Sequence, residues 1–141
     1  MRVEKVKQFS VFMPNKPGAL SRLASLFRDK NIDILGIASE VSNESGLIRI
    51  TLANDADASA ILSKAGFASV ETSILSVELD DQAGHLLEIA DALAAGKINI
   101  TTMYGTSSPD AKTARILIAV ENTDRALTIL EDLALGRKAG N

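Results

Sequence analysis

Apolar and polar residues alternate over residues 7–13, where Phe9, Val11 and Met13 fall on one face, and this predicts a strand. Pro14 and the turn-forming run Asn15-Lys16-Pro17-Gly18 end it. From Ala19 the period changes. Leu20, Leu23, Ala24 and Phe27 recur at i, i+3, i+4 and i+7, the stripe of an amphipathic helix. Strands are expected at 32–41 and 47–53, with Ser42 to Gly46 as the hairpin between them. Asp55 or Asp57 can cap a second helix through Lys64, whose end Gly66 marks.

The β-rich stretch 67–79 must hold the last strand of this set and the first of another, with the join at Glu71 to Ser73. A strand at 74–79, a turn at 80–84 and a helix to Ala95, ended by Gly96, then follow. Further strands are expected at 98–105 and 113–120 across the turn Ser107-Ser108-Pro109-Asp110, and a final helix from an Asn122 or Thr123 cap to Leu135.

The second set repeats the first with a shift of 66 positions, since Gly18, Leu20, Ala24, Ile32 and Ile34 map on Gly84, Leu86, Ala90, Ile98 and Ile100. The same shift takes Arg49 to Arg115 and Ile50 to Ile116. Such a repeat is too long for a solenoid unit and is a small domain in its own right. The order β-α-β-β-α-β is that of the ferredoxin-like fold. The expected class is therefore α+β, with two ferredoxin-like repeats side by side at 1–72 and 73–141. The second lacks its last strand, because only a short tail, 136–141, follows Leu135, and that tail is expected to be disordered. The missing strand would leave an open edge beside the first strand of repeat two, which favours a homodimer.

Composition narrows the function. No apolar run is long enough to span a bilayer, so no membrane role is expected. The opening Met1-Arg2-Val3-Glu4-Lys5 mixes charges where a secretory leader would be basic and then apolar, and cytoplasmic residence is expected. There is no cysteine, hence no disulfide, thiolate nucleophile or cysteine-ligated metal. The net charge is −3, with nine Lys/Arg against eight Asp/Glu in residues 1–73 and six against ten in 74–141; neither half has the basic stripe of a nucleic-acid binder.

Catalytic groups are scarce. His85 is the only histidine, and with Asp80, Asp81 and Glu88 nearby it reads as an exposed first-turn residue among acids favoured at a helix N-terminus. Neither Gly18 nor Gly84 belongs to a phosphate-loop pattern. Tyr104 and Phe9 read as packing residues rather than a base-stacking platform. No enzyme, metal or cofactor is expected. The strand-turn-helix remains: Gly18 lets a ligand approach the backbone, and the amides of Gly18, Ala19 and Leu20 are free donors suited to a small carboxylate. Asn15 can donate or accept beside them.

The run Pro14-Asn15-Lys16-Pro17-Gly18-Ala19-Leu20-Ser21-Arg22-Leu23-Ala24-Ser25-Leu26-Phe27, followed by Asn31-Ile32-Asp33-Ile34, resembles the opening of ACT domains, amino-acid-sensing regulatory modules. Repeat two matches less well, with Asp81 for Asn15, Ala83 for Pro17 and His85 for Ala19. The resemblance implies a small amino acid held between the turn of one domain and the second strand of its neighbour. Site one would then comprise Asn15, Pro17, Gly18, Ala19 and Leu20 with Thr101, Met103 and Tyr104; site two would comprise Asp81, Gly84, His85 and Leu86 with Leu35, Ile37 and Ala38. Two functions follow from it: a free-standing amino-acid sensor, or a regulatory subunit that associates with a biosynthetic enzyme, as the likeness of Pro17-Gly18-Ala19-Leu20-Ser21-Arg22 to the acetolactate synthase small subunit suggests. The sensor is preferred because the second half repeats the first.

Overall fold

A computed structural model describes residues 1–14, 16–42, 45–53, 57–80, 84–106 and 113–136. Asn15, Asp55, Asp81, the turn 107–110 and the tail from residue 137 lie outside them. The element order is β1 (Arg2–Pro14), α1 (Ala19–Asp29), β2 (Ile34–Ser42), β3 (Ser45–Leu52), α2 (Ala58–Lys64), β4 (Ala68–Asp80), α3 (His85–Ala95), β5 (Ile100–Thr106), β6 (Thr113–Val120) and α4 (Thr123–Ala134). The chain forms two compact units, one of Lys7–Thr72 and one of Met1–Val6 with Ser73–Asn141. The α+β class and the ferredoxin-like architecture are those expected.

In the Lys7–Thr72 unit the strand order is β2-β3-β1-β4. Antiparallel pairing sets Phe9 opposite Ile50 and Val11 opposite Ile48, which puts the alternating apolar residues of both strands on one face. Leu23 and Phe27 of α1 and Ala58 and Leu62 of α2 cover that face, and all four are fully buried. Leu20, the first residue of the helical stripe, is not part of this core; it is 50% exposed at the start of α1. The end of α2 follows the sequence, with Gly66 at φ +84° and bonds from Gly66 N–H to Ser63 and from Phe67 N–H to Leu62. Asp57 occupies the N-cap position of α2 but its side chain makes no capping bond.

The second unit shows how a repeat without a closing strand completes its sheet. No strand follows α4 among the described residues, yet β4 is flanked on both sides, by β6 and by β1. The expected open edge is therefore filled, by residues 2–6 at the start of β1, which belong to this unit. Met1 and Val3 pack on its core of Leu75, Val77, Leu79, Ile89, Leu93, Ile118, Ala126 and Leu130. Lys5 Nζ reaches Asp124 Oδ1 of α4 at 2.8 Å, and Asn122 caps α4 by accepting from the Arg125 N–H at 3.2 Å. Residues 67–79 supply the last strand of one unit and the first of the other as a single unbroken strand, β4, of 13 residues, with the units dividing at Thr72 and Ser73.

Register corrects the repeat as well. Phe9 and Leu75 are 66 apart, but Phe9 faces Ile50 whereas Leu75 faces Ile118, so the shift is 68 by the third strand. Ile50 corresponds to Ile118, and Arg49 to Leu117 rather than to Arg115. The buried pairs Ala58 and Leu62 of α2 and Ala126 and Leu130 of α4 keep the shift of 68. Two extra residues thus lie between β5 and β6; Ile50 meets an isoleucine at either spacing, Ile116 at 66 and Ile118 at 68, whereas Arg49 meets an arginine only at 66.

Residues 1–6 should accordingly carry stability out of proportion to their polar composition. A chain starting at Lys7 is expected to lose roughly 2 kcal/mol in urea unfolding, the scale of one buried aliphatic side chain. It should also self-associate more than the full chain in sedimentation, because the β4 edge is uncovered.

Candidate functional site

The β1–α1 turn is built by local bonds. Lys16 N–H donates to the Pro14 carbonyl at 3.0 Å and Ala19 N–H to the Lys16 carbonyl at 3.4 Å. Gly18 is the N-cap of α1 at φ 89° and ψ −12°, a left-handed conformation that a Cβ disfavours. Its carbonyl accepts the first helical bond, from Arg22 N–H at 3.0 Å. The N–H groups of Leu20 and Ser21 consequently have no acceptor within the helix, and no side chain among the described residues caps this end. A Cβ built on Gly18 meets nothing within 4 Å. The positive end of the helix dipole opens onto free space, the arrangement that receives an anionic group.

At the start of α3 the described residues repeat the glycine cap in their own unit. Gly84 caps α3 at φ 97° and ψ −13°, accepts from Glu88 N–H at 3.0 Å, has no side-chain cap, and has open space where a Cβ would stand. His85 departs from the expected exposed residue: its side chain is 27% exposed and its Nδ1 lies 3.7 Å from Glu88 Oε2. Its Nε2 is buried and has no hydrogen-bond partner among the described residues. Leu86, in the place of Leu20, is 52% exposed.

The strand residues of the expected sites fall on β2 and β5, the outermost strands of their units. Register shifts between Ile34 and Gly36 and between Ile100 and Thr102 make Leu35 and Thr101 the irregular positions, and Thr101 Oγ1 donates to the Ala119 carbonyl at 3.1 Å. Beyond the irregularities the side chains alternate. Ile37 and Met103 sit opposite Ile50 and Ile118, on the helix-covered side; Ala38 and Tyr104 sit opposite Arg49 and Leu117, on the other. Adjacent members of each expected set therefore point to opposite faces. Ile37 and Met103, 46% and 38% exposed, are large apolar groups left uncovered at an edge. Sequence reasoning had no means to find the two irregularities, because only the first is followed by a glycine.

The structure thus brings Pro17, Gly18, Ala19 and Leu20 together in one turn, and Gly84, His85 and Leu86 in another. Among the described residues nothing around them resembles a nucleophile with its base, and no group of three metal-ligating side chains occurs. No helix among those residues is long and apolar enough to cross a membrane.

Comparison with known proteins agrees with this geometry. No curated protein sequence matches. A protein of Bacteroides thetaiotaomicron has a similar solved structure, with a TM-score of 0.83 and 22% identity over 94% of this chain and 90% of that one. The ligand-free regulatory subunit of aspartate kinase from Thermus thermophilus follows at a TM-score of 0.64 and 15% identity, over 93% and 94% of the two chains. Aspartate kinase from Synechocystis matches over 99% of this chain but 27% of its own, at a TM-score of 0.61 and 18% identity. At such identities the likeness is one of fold. The family described as the ACT domain pair matches residues 4–135. The chain belongs to that family, a regulatory rather than a catalytic fold.

Proposed function

We propose that the protein is a non-catalytic amino-acid-binding regulatory protein. The observation that carries this is the uncapped N-terminus of α1, with Gly18 in a left-handed conformation and open space before the free amides. The carboxylate of a small amino acid accepts from the Leu20 and Ser21 N–H groups, as a capping side chain would. Pro17 and Ala19 frame the turn, with Asn15 upstream. Gly84, His85 and Leu86 form the corresponding receiver at α3.

A partner enzyme is the second part of the reading. It is favoured by the neighbours, among them a regulatory subunit of aspartate kinase and an aspartate kinase that contains a segment of this fold. The protein assembles as a homodimer through the outer strands β2 and β5, where apolar groups stand exposed and backbone groups are unpaired on one side. Sedimentation at micromolar concentration should give a species of twice the chain mass, and a monomer would exclude this assembly.

Leu20→Asp separates binding from folding. A carboxylate in the first turn suits the helix dipole, contributing about 0.3–1 kcal/mol, while it occupies the amides that a ligand would use. Calorimetry against the common amino acids should show binding to the turn weakened by about tenfold or more, a loss of about 1.4 kcal/mol, with the melting temperature held or raised. Full binding in a folded Leu20→Asp chain would remove the turn from the reading.

Gly18→Ala tests the backbone. Since no atom stands where the new Cβ would lie, the expected cost of about 1 kcal/mol is conformational. Gly18→Asn, which tolerates the left-handed region better, should recover part of it in thermal unfolding.

A further inference from the structure

The two units part company where their helices run side by side. In the second unit a Cβ on Gly96 would strike Ile129 Cδ1, so a glycine here lets the α4 side chain fill the gap beside the end of α3. In the first unit Lys30 stands in the place of Gly96 and Ile61 in that of Ile129. The gap stays open as a cavity of about 690 Å³ between α1 and α2. Leu26, Ile32 and Ile61 give it apolar, half-buried walls, while Lys30, Asp57 and Lys64 stand exposed at its rim.

We propose that this cleft is a second binding site, for a free amino acid with an aliphatic side chain. The argument rests on charge complementarity. Asp29 on the same wall is engaged by Arg28 at 3.0 Å, whereas Lys30, Lys64 and Asp57 form no ion pair among the described residues. Two ammonium groups and one carboxylate, unpaired around an apolar surface, match a zwitterion: its carboxylate meets the lysines, its ammonium meets Asp57, and its side chain lies on Leu26, Ile32 and Ile61. A plain carboxylate would leave Asp57 unused, and a cation would meet two like charges. The volume is in the range of small-ligand sites, roughly 300–1,000 Å³. The cleft uses side-chain charges and not backbone amides, so it is independent of the Gly18 turn.

The test is calorimetry with L-leucine as the probe, on a Leu20→Asp parent. That parent should bind leucine, and 4-methylpentanoate, which lacks the ammonium group, about tenfold or more weakly. Adding Ala60→Trp, which puts bulk at an exposed position on the cleft wall, should weaken leucine binding by about tenfold or more. So should Lys30→Glu with Lys64→Glu, which reverses the rim without filling the cleft. Because the comparison is always with the parent, the result stands whatever the turn does. Absence of leucine binding by the parent, equal binding of 4-methylpentanoate, or leucine binding unchanged in both cleft variants would overturn the proposal.

Discussion

The structure depends on one constraint: a ferredoxin-like unit needs four strands to back two helices, and the second half of this chain contains three among its described residues. Six strands meet the need of two units because β1 and β4, at 13 residues each, serve both. The start of β1 closes the sheet of the second unit before the chain enters the first, and the start of β4 closes the first before the chain enters the second. Exposed strand edges are sites of unwanted pairing. Extending two strands removes one such edge without an additional element. Each unit then buries its own apolar face against its own pair of helices, with Phe9, Phe27 and Ile50 at the centre of one core and Leu75, Ile89 and Ile118 at the centre of the other.

On this scaffold the two glycine turns are equivalent to within a few degrees, at φ 89° and 97° with ψ −12° and −13°. A helix N-terminus normally takes a serine, threonine, aspartate or asparagine cap. α4 does so through Asn122, whereas α1, α2 and α3 show no side-chain cap among the described residues. At α1 and α3 the cap position is a glycine, with open space beside it among those residues. Of these two, α3 carries His85, whose buried Nε2 has no hydrogen-bond partner among the described residues, whereas alanine stands at the matching position of α1.

Divergence between the repeats is concentrated elsewhere. Two residues gained between β5 and β6 change the sequence offset of every later element from 66 to 68, yet the cores survive because the pairing is kept: Met103 faces Ile118 as Ile37 faces Ile50. Between the helices the change is larger in consequence. Glycine at position 96 admits Ile129 beside the end of α3, while the unit with lysine at position 30 has a cleft between α1 and α2.

Much of this was legible in the order of residues, for a physical reason. Strand alternation, the stripe of Leu23 and Phe27, the end of α2 at Gly66, the cap at Asn122 and the glycine turns are all set by neighbours within about four positions. The family resemblance extended this to the whole fold. What only the tertiary structure decided involves partners far apart in sequence. Arg2-Val3-Glu4-Lys5-Val6 shows no alternation of its own and becomes a strand because β4 is there to pair with it. The offset of β6, the irregularities at Leu35 and Thr101, and the cleft between α1 and α2 likewise depend on which residue lies opposite. A local pattern specifies the element, but the residue it will face is chosen by the packing of the whole unit.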